Sequence, residues 1–468
     1  MLKCENAHGL LFTCDKPEAV GALDGTLRAY LAFERHTGAE MKATLALDPA
    51  MPMARLVRGN FLMLMGVGAL VEKARNEAEA VTRNVSMLEP REAMHAEALA
   101  AWAGGSLRKA TAIWHAILIE WPRDILAIKL ANFGSFYQGQ SRLVRDGPAS
   151  VIDYWDPGEP EYSYLLSLYA FGLEECGAFE MAERLGRQAI SMNPRDPWGV
   201  HAVAHVLEGT ERASDGIDWI ANLESHWSAS NNFRYHLAWH LALFHFERDD
   251  FAGALDVYDR LVYSENATEY LDVCNDASML ARLEIAGIDV GTRWNGVAQK
   301  VSNRGLDLVM AFSDVHFVLA LASSGERRHR SIAEALCAQM EDFARRAACD
   351  DADAYRLAGA ALGRALLHFR DGRYAEAARL LMDAEPQLAI IGGSNAQRDL
   401  FRELTAESLW RETPDGSATA CYLSRRTFHR PHDERNWKRY LEAIARGGDA
   451  KVLKSAKRRH ATAKEARR

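Results

Sequence analysis

The sequence predicts an all-α array of stacked helix pairs. Three observations carry that prediction: apolar residues recur three and four apart through nearly every segment between 20 and 410, proline is scarce, and one turn-and-helix pattern returns along the chain. Apolar residues make up 48% of the 468 and charged residues 26%, a balance that supports a large buried core and excludes wholesale disorder. Only 13 prolines interrupt a chain rich in Ala, Leu, Glu and Arg, the composition of long helices.

Taken in chain order, residues 1–19 read as an irregular arm, followed by a helix over about 20–37. The opening MLKCENAHGLLFTC lacks the basic start and long apolar run of a secretory signal. No stretch approaches the roughly 18 uncharged apolar residues of a membrane span, so a soluble, cytoplasmic protein is expected. Around Gly105 the chain reads GGSLRKATAIWHAILIEWPRD, and around Gly177 it reads GAFEMAERLGRQAISMNPRDP. Ala110 and Pro122 in the first have the separation of Ala182 and Pro194 in the second, and both end on Pro-Arg-Asp. Small residues let paired helices approach, and the proline stops the second helix where another begins. RDDFAGALDVYDRL around Ala254 and Tyr258, and DGRYAEAARLL around Ala377, repeat the pattern. Beyond 404 the stretch TAESLWRETPDGSATACYLSRRTFHRPHDERN is punctuated by Pro and Gly and reads as a loop. WKRYLEAIA then supplies a terminal helix from Trp437 to about Arg446, ended by Gly447-Gly448. The expected division is an arm at 1–19, a continuous repeat domain at 20–410, and a C-terminal extension at 411–468 with a terminal helix and a basic tail.

Seven cysteines, at 4, 14, 176, 274, 337, 349 and 421, form no CxxC pair, which argues against a disulfide scaffold or a thiolate zinc site. The formal charge is -8, yet residues 451–468 alone carry +7. An acidic body is a poor surface for a phosphate backbone, so nucleic acid is not expected as a partner. No coiled-coil heptad singles out a dimer, although repeat arrays associate readily through an end or a lateral face.

The spacing of Ala170, Gly177, Ala182, Ala189 and Pro194 resembles the tetratricopeptide repeat. HAVAHVLE at 201–208, YHLAWHLAL at 235–243, LDV at 271–273, FSDVHF at 312–317 and GGSNAQRDLF at 392–401 are similar, in this order, to the tetratricopeptide-repeat protein 38 family. The similarity covers roughly residues 20–410 and implies a tetratricopeptide-like superhelix of about twelve to eighteen helices. It implies no particular reaction. Where a relative reads LDVVDS this chain reads LDVCND, so Asn275 stands in place of an acid.

His201, His205 and Glu208 share one helix face, and His236 and His240 repeat the device on the next first helix, with Trp239 between them. By the resemblance, these positions line the concave groove. Three readings stay open: a metal site holding a divalent cation such as zinc on His201, His205, His236 and His240, with Glu208 or Asp272 in reach; imidazoles acting without metal as acid or base; and polar packing between helices. Asp314 and His316 open another helix, where Asp314 complements the amide end. In GGSNAQRDLF, Ser394 and Gln397 form a capping box, while Asn395, Gln397 and Arg398 are candidate ligand contacts, Arg398 as a fork for a carboxylate or phosphate. Trp198, Trp219, Trp227, Trp239 and Tyr164 lie near the histidines and could wall a pocket.

No GxSxG elbow, GxGxxG fingerprint or Walker loop is present. Two functions follow as expectations. One is a module binding a small anionic ligand or peptide in a concave pocket lined by His, Trp and Arg398. The other is a metal-dependent hydrolase of an amide or related bond at the same pocket, with His201, His205, Glu208, His236 and His240 as its catalytic set.

Overall fold

The computed structural model describes residues 2–83, 85–305 and 307–466. Among these, the longer helices fall into twelve consecutive pairs, from Glu18–Leu31 with Thr37–Leu47 to Glu434–Gly447 with Ala450–Ala466. The fold is all-α and tetratricopeptide-like, with about twice as many helices as the lower expectation. Two predicted irregular regions are ordered instead.

The N-terminal arm is a hairpin. Leu2–Glu5 pairs antiparallel with Leu11–Cys14, and Gly9 at φ +75° closes the turn while the Asn6 side chain accepts from the His8 and Leu10 amides. It docks on the third helix pair, where Glu92 accepts from the Thr13 amide at 2.9 Å and Arg91 donates to the Leu11 carbonyl at 3.1 Å. Four residues per strand are too few for an alternation signal to stand out. The first helix is correspondingly short, Glu18–Leu31.

The stretch after 404 is helical too. Asn395–Glu412 runs on through it and Ser417–His429 follows, so Pro414-Asp415-Gly416 is the turn of one more pair, with Gly416 at φ +68°. Pro and Gly mark a chain reversal here, and a reversal between helices reads like a loop in sequence.

A single apolar core runs from Leu10 to Leu404, and a smaller one gathers Leu423, Trp437, Tyr440 and Ala456. Fully burying a Leu or Phe side chain contributes roughly 1.5–3 kcal/mol, and no pair could bury its face without its neighbours. Stacking is therefore obligatory.

The superhelix curls until early turns meet late ones. The Gly68 amide donates to Asp307 at 2.9 Å, the Leu107 and Arg108 amides donate to Asp351 and Asp350, and the Tyr137 and Tyr270 hydroxyls meet at 3.1 Å. A Cβ at Gly139 would overlap the Ala389 carbonyl, so this crossing requires glycine, which also adopts φ +66° there. These contacts narrow the groove into a deep, partly open cavity. Among the described residues, no helix is long and apolar enough to cross a membrane.

Candidate ligand cavity and histidine cluster

The cavity has a volume of about 390 Å³. Its two walls differ in helix polarity. Tyr30, Phe61, Trp102 and Phe133 come from the C-terminal ends of four early first helices, whereas Trp198, Phe233, Tyr270 and Phe312 come from the N-terminal ends of four later ones. The curl makes these ends face each other across an aromatic-lined space.

All five strings that carry the sequence resemblance reach this wall. His201, His236, Leu271 with Asp272, Phe312, and Gly392, Gly393, Ser394 and Gln397 line it. Asp272 accepts from the Glu269 amide at 3.0 Å and from Asn232 at 2.7 Å; burial, and then neighbouring Glu269, push its carboxyl up to about 7. The Ser394–Gln397 capping box forms as read.

Other candidates lie elsewhere. Arg398 is buried and occupied, donating to the Gly393 carbonyl and to Asn395, with Glu175 at 3.5 Å, and it does not line the cavity. Asn395 gives its amide to Glu175 at 3.0 Å. Asp314 accepts from the Tyr355 hydroxyl at 2.6 Å. His316 donates from Nδ1 to the Phe312 carbonyl at 2.7 Å and packs between Phe312 and Phe401, where burial lowers it to about 4. Trp239 lies behind the wall, stacked on His236. Glu208 turns from the histidines and pairs with Arg430 at 2.7 Å. Spacing had placed Glu208 on the histidine face, but the C-terminal extension supplies it with a cation that no local pattern reveals.

The four histidines do converge. Among His201, His205, His236 and His240, one ring nitrogen from each lies within 4.8 Å of the others, and all four side chains are buried. His201 Nε2 is 2.9 Å from His205 Nε2 and 3.0 Å from His236 Nε2. His236 donates from Nδ1 to Asn275 Oδ1 at 3.0 Å, which orients the ring. His205 Nδ1 faces Glu174 Oε2 at 3.5 Å, and neither ring nitrogen of His240 has a hydrogen-bond partner. Burial, reinforced by its neighbours, holds His201 and His240 well below the usual imidazole range and brings His236 to about 3. Burial would lower His205 as well, but the Glu174 carboxylate lifts it.

Sequence reasoning missed Lys129. Its ammonium sits 4.2 Å from the Phe133 ring centroid, 4.6 Å from Trp198, 4.8 Å from Phe33 and 5.9 Å from Tyr30. A single lysine inside the apolar run ILAIKLANF was the available signal. Phe33 reaches this cage from a left-handed backbone at φ +54°, a conformation that costs a bulky residue roughly 1 kcal/mol or more and that packing must hold.

No protein-family model matches the chain. Among solved structures, the human IFIT1 dimer with m7Gppp-AAAA is similar over 99% of this chain and 98% of that one, at 10% sequence identity and a TM-score of 0.40. That structure holds a nucleic acid, m7Gppp-AAAA, and the expectation that nucleic acid is no partner does not stand.

Proposed function

We propose that this chain is a ligand-binding helical-repeat protein that encloses one small organic molecule, with an aromatic or aliphatic body and one polar end, in the cavity between its two sets of helix ends. The observation that carries the reading is the convergence of five strings, drawn from residues 201 to 397, on one wall of a 390 Å³ space. A volume of this order suits small molecules, whose sites are mostly apolar with a few placed polar groups. His201, His236 and Asp272 supply those groups here. The same convergence favours membership of the tetratricopeptide-repeat protein 38 family.

The ligand is less acidic than the sequence alone suggested. Arg398 does not reach the cavity, while Glu269, Asp272, Asp350 and Asp351 share its lining against Arg108. A neutral or cationic end group fits this wall better than a carboxylate. The seven cysteines are free, which agrees with a reducing cytoplasmic setting. Hydrolysis of an amide or related bond is the second reading, and it draws on His201 and His236 lining the cavity.

Native mass spectrometry and thermal shift of the full chain against a panel of neutral, cationic and anionic aromatic compounds test the proposal. Stoichiometric binding that weakens tenfold or more in Phe133→Ala supports it, since tenfold is about 1.4 kcal/mol of lost contact. Binding unaffected by Phe133→Ala, or confined to the anions, would overturn it. Product formation from the bound compound would select the hydrolytic reading.

A further inference from the structure

We infer that His201, His205, His236 and His240 form a binding site for a single divalent transition-metal ion, of the zinc or iron(II) class, set into the wall of the cavity. The inference does not depend on the organic ligand, because it rests on how the ring nitrogens are matched.

Proton bookkeeping carries it. His236 places its proton on Nδ1, toward Asn275 Oδ1, which leaves a lone pair on Nε2. His205 turns Nδ1 toward Glu174 Oε2, 3.5 Å away and beyond a formed hydrogen bond, so in the neutral ring the proton sits on that side and a second lone pair is left on its Nε2. Both lone pairs face His201 Nε2, at 3.0 and 2.9 Å, and that atom carries one proton at most. One of the two contacts is therefore lone pair against lone pair. His240 adds two ring nitrogens without any partner, in a side chain that is 0% exposed. Buried polar groups left unmatched cost about 1–3 kcal/mol each, and native interiors seldom hold several together.

A cation resolves the lone-pair contact and takes up one of the two His240 nitrogens. Neutral imidazole is a preferred donor for zinc, copper, iron and nickel, and four nitrogens at about 2.0–2.1 Å from one ion lie roughly 3.3 Å apart in a tetrahedron. The two closest contacts already approach that spacing, and a ring nitrogen of His240 lies within 4.8 Å of the other three. The surroundings also have the form of a metal's outer shell. Asn275 holds the far nitrogen of His236, fixing its tautomer and orientation, and the Glu174 carboxyl stands 3.5 Å from the far nitrogen of His205. Access runs from the cavity, because His201 and His236 line its wall.

The test uses the purified full-length chain, stripped with dipicolinate and then equilibrated singly with Zn²⁺, Co²⁺, Fe²⁺, Ni²⁺ or Mn²⁺. Elemental analysis of the desalted protein is expected to find one ion per chain, with a raised melting temperature and visible absorption bands for the cobalt form. Retention should fall at least tenfold in His240→Phe, which keeps the ring volume, and in the His201→Ala/His240→Ala pair, while His316→Ala, outside the cluster, keeps its ion. A folded wild-type chain that retains none of the five ions and shows no thermal shift overturns the site. Equal retention in a folded His240→Phe variant overturns it too, since the ion would then sit elsewhere.

Discussion

Arg430 donates to Glu208 at 2.7 Å, linking the turn after Ser417–His429 to the end of the helix that carries His201 and His205. The same guanidinium lies 3.3 Å from Glu247, 3.4 Å from Asp433 and 3.6 Å from Glu211. One cation thus balances acids from several helix pairs behind the histidine cluster. Removing one partner of a buried pair is costly because the others are left charged and unpaired. Arg430→Met is expected to lower unfolding free energy by roughly 3 kcal/mol in urea titrations. Glu208→Gln should cost less, since Glu247 and Asp433 remain for Arg430. It should also leave metal retention intact, because Glu208 does not face the imidazoles.

Asp314 gives the fold a pH dependence of identifiable sign. Burial pushes its carboxyl up to about 7, against the lowering effect of the Tyr355 hydroxyl that donates to it, while the unfolded value is about 4. A folded pKa above the unfolded one means the native state holds the proton more tightly. The resulting stability is fully present below about pH 4 and is lost as pH rises toward 7, a change on the order of 4 kcal/mol. Asp314→Asn keeps an acceptor for Tyr355 without the charge. Its melting temperature relative to wild type should rise between pH 5 and pH 8, and a constant difference across that range would contradict the assignment.

The parts legible in the sequence are those whose signal is local. Ala182 and Pro194 marked a helix pair, Ser394 and Gln397 marked a cap, and the i, i+4 spacing of His201 with His205 and of His236 with His240 marked two faces that do meet. The illegible parts depend on partners far along the chain. Glu208 and Arg430 are 222 residues apart, and the Lys129 cage takes rings from three separate helix pairs. Arg398 read either as a fork for a ligand or as the partner of Asp399 or of a neighbouring helix's acid, and that acid is Glu175, from a helix more than two hundred residues earlier. Motif reading finds side chains that share a helix face, but it cannot say which of them the curl of the superhelix will already have paired.

Closure of the ring rests partly on a cap supplied in trans. Asp351 accepts from the Leu107 amide at 3.2 Å and Asp350 from the Arg108 amide at 3.0 Å, so the helix Leu107–Glu120 takes its N-terminal acceptors from a segment about 240 residues away. A helix-capping carboxylate typically contributes about 1 kcal/mol. Asp350→Ala and Asp351→Ala should each speed hydrogen exchange at the amides of 107–110 about fivefold, with little change in global unfolding. If exchange there were unchanged, the early and late turns would be held together by the Gly68–Asp307, Tyr137–Tyr270 and Gly139–Ala389 contacts without help from these caps.

Trp198 joins the cavity, the lysine cage and the histidine cluster, and a double-mutant cycle can separate these roles. Its ring stacks on Phe33 with centroids 5.9 Å apart, approaches His201 at 4.8 Å and covers the Lys129 ammonium at 4.6 Å. Trp198→Ala should destabilise by about 4 kcal/mol, the usual cost of deleting a buried large aromatic, and Trp198→Phe by considerably less. Lys129→Met loses cation–π attraction of about 2 kcal/mol but is relieved of holding a charge away from water, so its net effect should stay within about 1 kcal/mol. If the rings hold the ammonium, the double variant Trp198→Ala/Lys129→Met is less destabilised than the sum of the singles by roughly 0.5–1 kcal/mol. Strict additivity would mean that Asp196, whose buried carboxylate also attracts Lys129, supplies the attraction without help from the indole.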